Sequence, residues 1–302
     1  MDSTFAEDNL PEGQPPIKTS NVKRLNAFMT LLTEEENRYS TIGVVTAPAG
    51  AGKTIAAQVG QGILEGRFHT VLPACIKVKV MPRSTPRAFA SNILYTLGEK
   101  SKGNNIYEIA EHAATAIQRN DLRLIIVDEG DRLNEDSFEV VRYLIDKTGC
   151  PILIVGLPNI LHVIDRHEKF ASRVGLRMSF KPLEMQEILH LVLPGLVFPR
   201  WSFDSQNEED CRMGEEIWRK VCPSFRKLRN LLDVAEKLAK GKKAPVITLP
   251  IIQEAFEWIA SQEDQQHAKK RTQAKTTAKK GPHENASEQR HEGQARKKSD
   301  EH

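Results

Sequence analysis

The chain has 302 residues, 39% hydrophobic and 27% charged, with a formal net charge of +3. That length can bury one domain of roughly 200 residues plus a smaller one, and the composition is that of an ordinary soluble protein. The small positive charge permits a nucleic-acid partner without requiring one. No apolar run reaches the ~18 residues that a membrane helix needs, so no membrane association is expected. Met1 to Gln14 is acidic and Pro-containing, without the basic-then-apolar order of a signal peptide. Cys75, Cys150, Cys211 and Cys222 lack CxxC spacing, and three of them lie in or beside apolar runs. They read as reduced, packed thiols in a cytoplasmic protein.

Taken in chain order, residues 1–18 carry Pro11, Pro15 and Pro16 and few apolar side chains, and read as a flexible arm. Thr19-Ser20-Asn21 can cap a helix whose Val22, Leu25, Phe28, Met29 and Leu32 recur at helical spacing. A strand follows at Ile42 to Thr46, then a Gly-rich turn and a helix from Thr54 to Leu64. A second strand is expected over Val71 to Val80, with helices near 85–98 and 106–118. Leu122 to Val127 is a continuous apolar run, the mark of a parallel strand covered on both faces. A helix at 135–147, a strand at Pro151 to Val155, short helices near 158–171 and a strand near 174–180 complete the alternation. Strands alternating with helices define an α/β domain with a parallel sheet flanked by helices, here over 19–182. Helical patterns at 183–194, 209–221, 225–239 and 248–261 predict a small all-helical domain over 183–262. Residues 263–302 contain no Leu, Ile, Val, Met or aromatic residue, and hold ten Lys/Arg against seven Asp/Glu. Such a segment has nothing to bury and is expected to be a disordered tail with basic patches.

Ala47-Pro48-Ala49-Gly50-Ala51-Gly52-Lys53-Thr54 is a Walker A pattern with Ala in place of its first Gly. A phosphate chain needs backbone N–H donors free of obstructing side chains, which Gly50, Gly52 and the small residues provide. It also needs a helix N-terminus aimed at it, which the helix opening at Lys53 supplies. Lys53 would neutralise the β/γ oxygens of ATP, and the Thr54 hydroxyl would ligate Mg²⁺. The partner motif is Asp128-Glu129, at the end of the most apolar strand, where open α/β sheets bind ligands. Asp128 would hold Mg²⁺ and Glu129 would polarise the attacking water. The strand ending at Val155-Gly156 should lie between those two and deliver a polar sensor. Asn159 is the nearest amide, although Leu157 occupies the more usual position. Arg166 and Arg173, before the last strand, could each reach a neighbouring subunit's γ-phosphate or equally serve in a surface ion pair; Arg173 is the preferred candidate.

The run Leu-Ile-Ile-Val-Asp-Glu-Gly-Asp-Arg-Leu at 124–133, then Ile-Leu-Ile-Val-Gly at 152–156, Val163-Ile164-Asp165-Arg166, Ser172-Arg173 and Phe180, resembles the TnsC/TniB group of transposition ATPases. These are relatives of phage Mu transposition protein B and include members from CRISPR-associated transposons. The likeness covers most of 19–260; it is specific from Asp128-Glu129 to Phe180 and generic at the P-loop. It implies an AAA+ P-loop NTPase with a helical lid, forming a ring or helical filament on double-stranded DNA with ATP between protomers. It implies that this assembly, with little DNA sequence preference, marks a target site and recruits a transposase, that a target-selection protein is a further partner, and that ATP hydrolysis drives disassembly. By the same resemblance Arg173 faces the neighbour's nucleotide and adenine lies around Ser20 to Lys23. A basic lid sensor falls among Arg226, Lys227 and Arg229, with Lys227 taken as the candidate although the family's glycines are missing.

DNA contacts are sought in the stretch after the second strand, where Lys77, Lys79, Arg83, Arg87, Lys100 and Lys102 are available. Binding to the backbone alone needs several Lys/Arg per protomer and no base-reading code. Lys100, Lys102 and Arg83 are the candidates. The competing readings are another AAA+ ATPase of the secretion-associated or initiator/loader type, and a P-loop small-molecule kinase. The kinase is disfavoured because Asp128-Glu129 suits water activation and no Arg-rich substrate lid interrupts the α/β part.

Overall fold

Five short aliphatic runs form the central sheet: β1 (Ile42–Thr46), β2 (Cys75–Lys79), β3 (Leu124–Asp128), β4 (Ile152–Gly156) and β5 (Val174–Ser179). The computed structural model that shows this describes residues 16–34, 42–68, 72–222 and 224–262. All pairings are parallel and the strand order is β2-β3-β4-β1-β5. Every residue of β1, β3 and β4 is buried, as central strands covered on both faces require. Alternation divides their side chains between two cores. Val44, Ile125, Val127, Ile152 and Ile154 pack on one face with α3 (Pro86–Thr96), α4 (Ile106–Arg119) and α5 (Glu135–Thr148). Val45, Leu124, Ile126, Leu153 and Val155 pack on the other with α1 (Ser20–Thr33) and α2 (Lys53–Phe68).

Local signals set the helix ends. Thr19, Thr85, Asn105 and Asn134 each accept a backbone N–H from the first turn of α1, α3, α4 and α5. Pro86 opens α3, and Gly149 closes α5 in the left-handed conformation at φ 69°. Two short helices, α6 (Ile160–Arg166) and α7 (Glu168–Ala171), lead into β5. After β5 come α8 (Met185–Glu187), continuing as a π-helical turn over Ile188–Val192, then α9 (Glu208–Val221), α10 (Phe225–Gly241) and α11 (249–262). Their buried residues, from Leu183 to Ala255, form a cluster of their own.

The second strand is shorter than expected. Leu72 and Pro73 are exposed and outside it, since a proline cannot donate to the ladder, and Val71 lies outside the described residues. Of the N-terminal arm, residues 1–15 also lie outside, whereas Ile17 is half-buried against the helical cluster. The tail at 263–302 is likewise outside the described residues. No helix among those described is long and apolar enough to cross a membrane.

The seating of α1 on the sheet depends on Gly43. A Cβ there would stand 2.7 Å from Phe28 Cε1 and 3.0 Å from Leu32 Cδ2. Gly43→Ala should therefore destabilise the protein by about 1–3 kcal/mol through overpacking, read as a lowered urea midpoint. An unchanged midpoint would mean that α1 is not held against β1 in this way.

Candidate functional site

Because β4 lies between β3 and β1, the C-terminal ends of these strands bring the Gly-rich turn, the Asp128-Glu129 pair and the β4 exit to one edge of the sheet. The turn from Ala47 to Gly52 is held at both ends. Ala47 N–H donates to Gly156 O at 3.2 Å, and Ala56 N–H donates to Gly52 O at 2.9 Å as α2 begins. Gly50 and Gly52 adopt φ of 75° and 83°, the left-handed region that only glycine enters without strain. Lys53 opens α2 and curls back, donating from Nζ to the carbonyls of Ala47 at 2.8 Å and Pro48 at 2.9 Å. Burial lowers its pKa below the ordinary lysine value, opposed by the charges of Asp131, Asp128 and Glu129 and reinforced by that of Arg226. Thr54 follows in the first turn of α2, half-buried.

Asp128 is 2% exposed. Its Oδ1 accepts the Glu129 N–H at 2.9 Å, while Oδ2 is buried and has no hydrogen-bond partner. A buried carboxylate oxygen in that position calls for a cation or a hydrogen-bond donor. Glu129 sits in the left-handed region at φ 55°, where a non-glycine residue is uncommon, entering the 3₁₀ turn Gly130–Arg132. Its carboxylate is engaged by Lys79 Nζ, 3.3 Å away at the end of β2, and by Arg132 of that turn. Asp131 in the same turn accepts the Leu157 N–H at 2.9 Å.

Beside the Gly-rich turn lies a small cleft lined by Asn21, Pro48, Ala51, Phe180, Lys181, Leu183 and Phe225 among others. Asn21 is fixed there, because its side-chain amide exchanges two hydrogen bonds with the Lys181 backbone, at 2.8 and 3.0 Å. Ser20 does not line the cleft: its N–H and Oγ both donate to Glu187, the latter at 2.9 Å. The start of α10 closes the cleft from the helical side. Phe225 N–H donates to Gly50 O at 2.8 Å, and Ser224 Oγ caps the helix by accepting the Lys227 N–H at 3.3 Å. Of Arg226, Lys227 and Arg229 in α10, Arg226 is the one whose charge acts on Lys53. Lys227 is exposed, and Arg229 lies 3.9 Å from Asp233.

The other sequence candidates stand apart from this centre. Asn159 is exposed at the start of α6 and makes no capping hydrogen bond. Arg166 is exposed at the end of that helix. Arg173 grips Asp146 of α5 through Nε at 3.1 Å and Nη2 at 3.0 Å, and donates from Nη1 to Lys169 O. Arg83 is exposed at φ 59° in the turn after β2. Lys100 and Lys102 are exposed in the α3–α4 connection, where Lys102 N–H donates to His112 Nδ1 at 3.4 Å. Sequence reasoning missed Lys79, Arg132 and Asp131 as neighbours of the centre, and Phe180 and Phe225 as walls of the cleft. Only the position of Lys79 at the end of its strand offered a signal.

The architecture is the AAA+ P-loop NTPase fold. Residues 36–164 match the family model described as AAA domain. A "Potential ATP-binding protein" of Staphylococcus aureus is 24% identical over 205 residues, covering 61% of this chain and 73% of that protein. Among solved structures, the Aeropyrum pernix ORC1 protein in complex with DNA is similar at TM-score 0.59 and 18% identity, covering 85% of this chain and 68% of that one. The Aeropyrum pernix ORC2 protein in its ADPNP–ADP complexes is similar at TM-score 0.64 and 15% identity, covering 83% and 69%. CDC6P from Pyrobaculum aerophilum gives TM-score 0.59 at 15% identity, covering 79% and 66%.

Gly50 tests the geometry of the turn without any ligand. A Cβ there would meet Ser224 Oγ at 2.5 Å in a left-handed backbone. Gly50→Ala should cost at least about 1–2 kcal/mol in urea unfolding of the ligand-free protein, from the backbone conformation alone. Wild-type stability in this variant would contradict both the turn and its contact with α10.

Proposed function

We propose that this protein is an ATP-dependent transposition regulator that oligomerises on duplex DNA, marks a target site there and recruits a transposase, with a target-selection protein as a further partner and ATP hydrolysis driving disassembly. The observation that carries the nucleotide part is the buried, unpartnered Asp128 Oδ2 at the same sheet edge as the glycine turn and Lys53. The AAA-domain match and the relative's name support it.

In this reading the N–H groups of residues 49–54 cradle the triphosphate, and Lys53 exchanges its two carbonyl partners for β/γ oxygens. Thr54 and Asp128 hold Mg²⁺, which when bound neutralises charge developing on the phosphates. No group of three or more His, Cys, Asp or Glu forms a protein-only metal cage among the described residues. Mg²⁺ suits that arrangement, since it keeps waters and phosphate oxygens as ligands. The base lies in the cleft between Asn21, Phe180 and Phe225, and Ser20 contributes through the α1 N-terminus that it opens. Arg226, whose charge reaches Lys53, joins Lys227 and Arg229 as a candidate for the basic residue over the phosphates. Glu129 orients the attacking water once freed from Lys79 and Arg132. Asn159 and Arg166 are the remaining polar candidates of the β4–β5 connection. Arg173 completes a neighbour's site by leaving Asp146. Lys100, Lys102 and Arg83 contact DNA phosphates.

The transposition role rests on the sequence resemblance over 124–180. A second reading, an initiator or loader, is favoured by the likeness to the ORC1, ORC2 and CDC6P structures, one of which holds its protein on DNA.

Glu129→Gln should bind ATP normally and lose turnover by about 10²-fold or more, because an amide cannot act as the base. Turnover within twofold of wild type would remove Glu129 from the reaction.

Arg173→Ala should lower turnover without weakening ATP binding by the isolated protomer, and mixing it with Glu129→Gln should restore part of the activity. One chain then supplies the arginine and the other the carboxylate. Sedimentation with duplex DNA should show ATP-dependent assembly on unrelated sequences with steep salt dependence. A chain that stays monomeric with ATP and DNA, with no rescue in mixtures, would rule out the assembly. Assembly confined to one DNA sequence would favour the initiator reading instead.

A further inference from the structure

Where the β4 strand ends, a single peptide unit is held from two sides. The carbonyl of Gly156 accepts the Ala47 N–H at 3.2 Å, which ties it to the first residue of the glycine turn. The N–H of the same peptide unit, that of Leu157, donates to Asp131 Oδ1 at 2.9 Å, which ties it to the turn after Glu129. The pairing beneath is regular, Thr46 with Gly156 and Asp128 with Val155, so this peptide is the first beyond the ladder and has no further strand partner to fix it. The contact is close enough to require glycine: a Cβ on Gly156 would stand 2.9 Å from both Asp131 N and Asp131 Oδ1. Gly130, between Glu129 and Asp131, is buried against Ile154 of β4, where a Cβ would collide with the Ile154 side chain.

From this geometry we infer that Asp131 is a positioning residue: by holding the Leu157 N–H, it locks the turn that carries Glu129 to the β4 exit and, through Gly156, to the glycine turn. The inference rests on the reading of the site as one that hydrolyses ATP. Its physical content is that Glu129 alone cannot set its own direction. Glu129 stands at φ 55° in a turn closed by only two backbone hydrogen bonds, Arg132 N–H to Glu129 O and Leu133 N–H to Gly130 O, each 3.0 Å. A non-glycine residue in the left-handed region persists when its surroundings over-determine it. Asp131 and the Gly130–Ile154 contact supply that constraint. The Asp131 carboxylate makes no hydrogen bond to Lys53, but its charge acts on that lysine, so the hydrogen bond to Leu157 and the charge must be told apart by experiment. The β4 exit offers the apolar Leu157 and the exposed Asn159, so the carboxylate from the adjacent turn is the group that organises this position.

The test separates positioning from folding and from binding. Wild-type turnover of ATP is measured first: if the protein binds ATP but releases no phosphate, the hydrolysis reading and this inference both fail. Given wild-type turnover, Asp131→Ala should lower kcat at least tenfold with the ATP Kd within threefold. Asp131→Asn keeps an oxygen acceptor for the Leu157 N–H and should stay within threefold of wild type in kcat. Gly156→Ala, which pushes the same contact apart from the other side, should reproduce the kcat loss with Asp131 intact. It is the deciding variant if Asp131→Ala does not fold. A kcat within threefold of wild type in Asp131→Ala or, failing that variant, in Gly156→Ala, overturns the inference. So does an Asp131→Asn as impaired as the alanine variant, since charge and not the hydrogen bond would then matter. Loss of ATP binding in step with turnover overturns it as well.

Discussion

Two buried strands lying side by side, β1 and β4, set the position of every group at the sheet edge. Their pairing runs residue by residue from Ile42 with Ile152 to Thr46 with Gly156, and it continues one step beyond the ladder in the Ala47 N–H to Gly156 O bond. A parallel ladder that ends in register leaves its C-terminal peptides at one level. The glycine turn leaving β1 and the exit of β4 therefore start from a common edge. β3 pairs with the other side of β4, so Asp128 arrives at the same level opposite Val155. Slipping either pairing by one residue would turn Asp128 and the glycine turn toward opposite faces, because side chains alternate along a strand. The continuous aliphatic runs resist such a slip only through packing. Gly130 under Ile154 helps fix the β3–β4 pairing and Gly43 under Phe28 seats α1 on β1, since a Cβ at either place would collide with its neighbour.

The charges at this edge are balanced without being satisfied. Lys53 has two carbonyl acceptors but is substantially desolvated, and Glu129 is occupied by Lys79 and Arg132. Neither arrangement is strong. Partly exposed ion pairs contribute about 0–1 kcal/mol, so Lys79 and Arg132 cannot hold Glu129 against a better-placed partner. The buried Asp128 Oδ2 has neither a hydrogen bond nor an ion pair. Leaving such an atom unpaired costs about 1–3 kcal/mol, a penalty that the ion pairs around Glu129 do nothing to relieve.

Where hydrophobic period or a helix signal acted alone, the sequence was sufficient. The buried strands, the cap within Thr19 to Asn21 and the glycine turn before α2 were all legible from local pattern. What could not be read were contacts between residues far apart in the chain. Lys79 lies 50 residues before Glu129, and its meeting with that carboxylate depends on β2 taking the place beside β3. Asn21 reaches Lys181 only because α1 folds over the β5 exit. The shorter second strand has a local cause, Pro73, that weighed too little against the apolar run around it. Ser20 and Asn21 differ by one position, about 100° on a helix, which decides that Asn21 faces the cleft and Ser20 faces Glu187.

The coupling between the two parts of the chain follows from where their few direct bonds fall. Phe225 N–H to Gly50 O joins α10 to the glycine turn, and Ser20 to Glu187 joins α1 to α8. The first of these bonds lies at the cleft, which Phe225 lines, and the Phe225 ring lies 3.3 Å from the space a Gly52 side chain would need. Phe225 therefore meets the glycine turn twice, through its backbone at Gly50 and through its ring beside Gly52, so the start of α10 and that turn share one constraint. Arg226, one residue on from Phe225, is held near enough to Lys53 for its charge to oppose the lysine's protonation. Two like charges held near each other favour an anion between them.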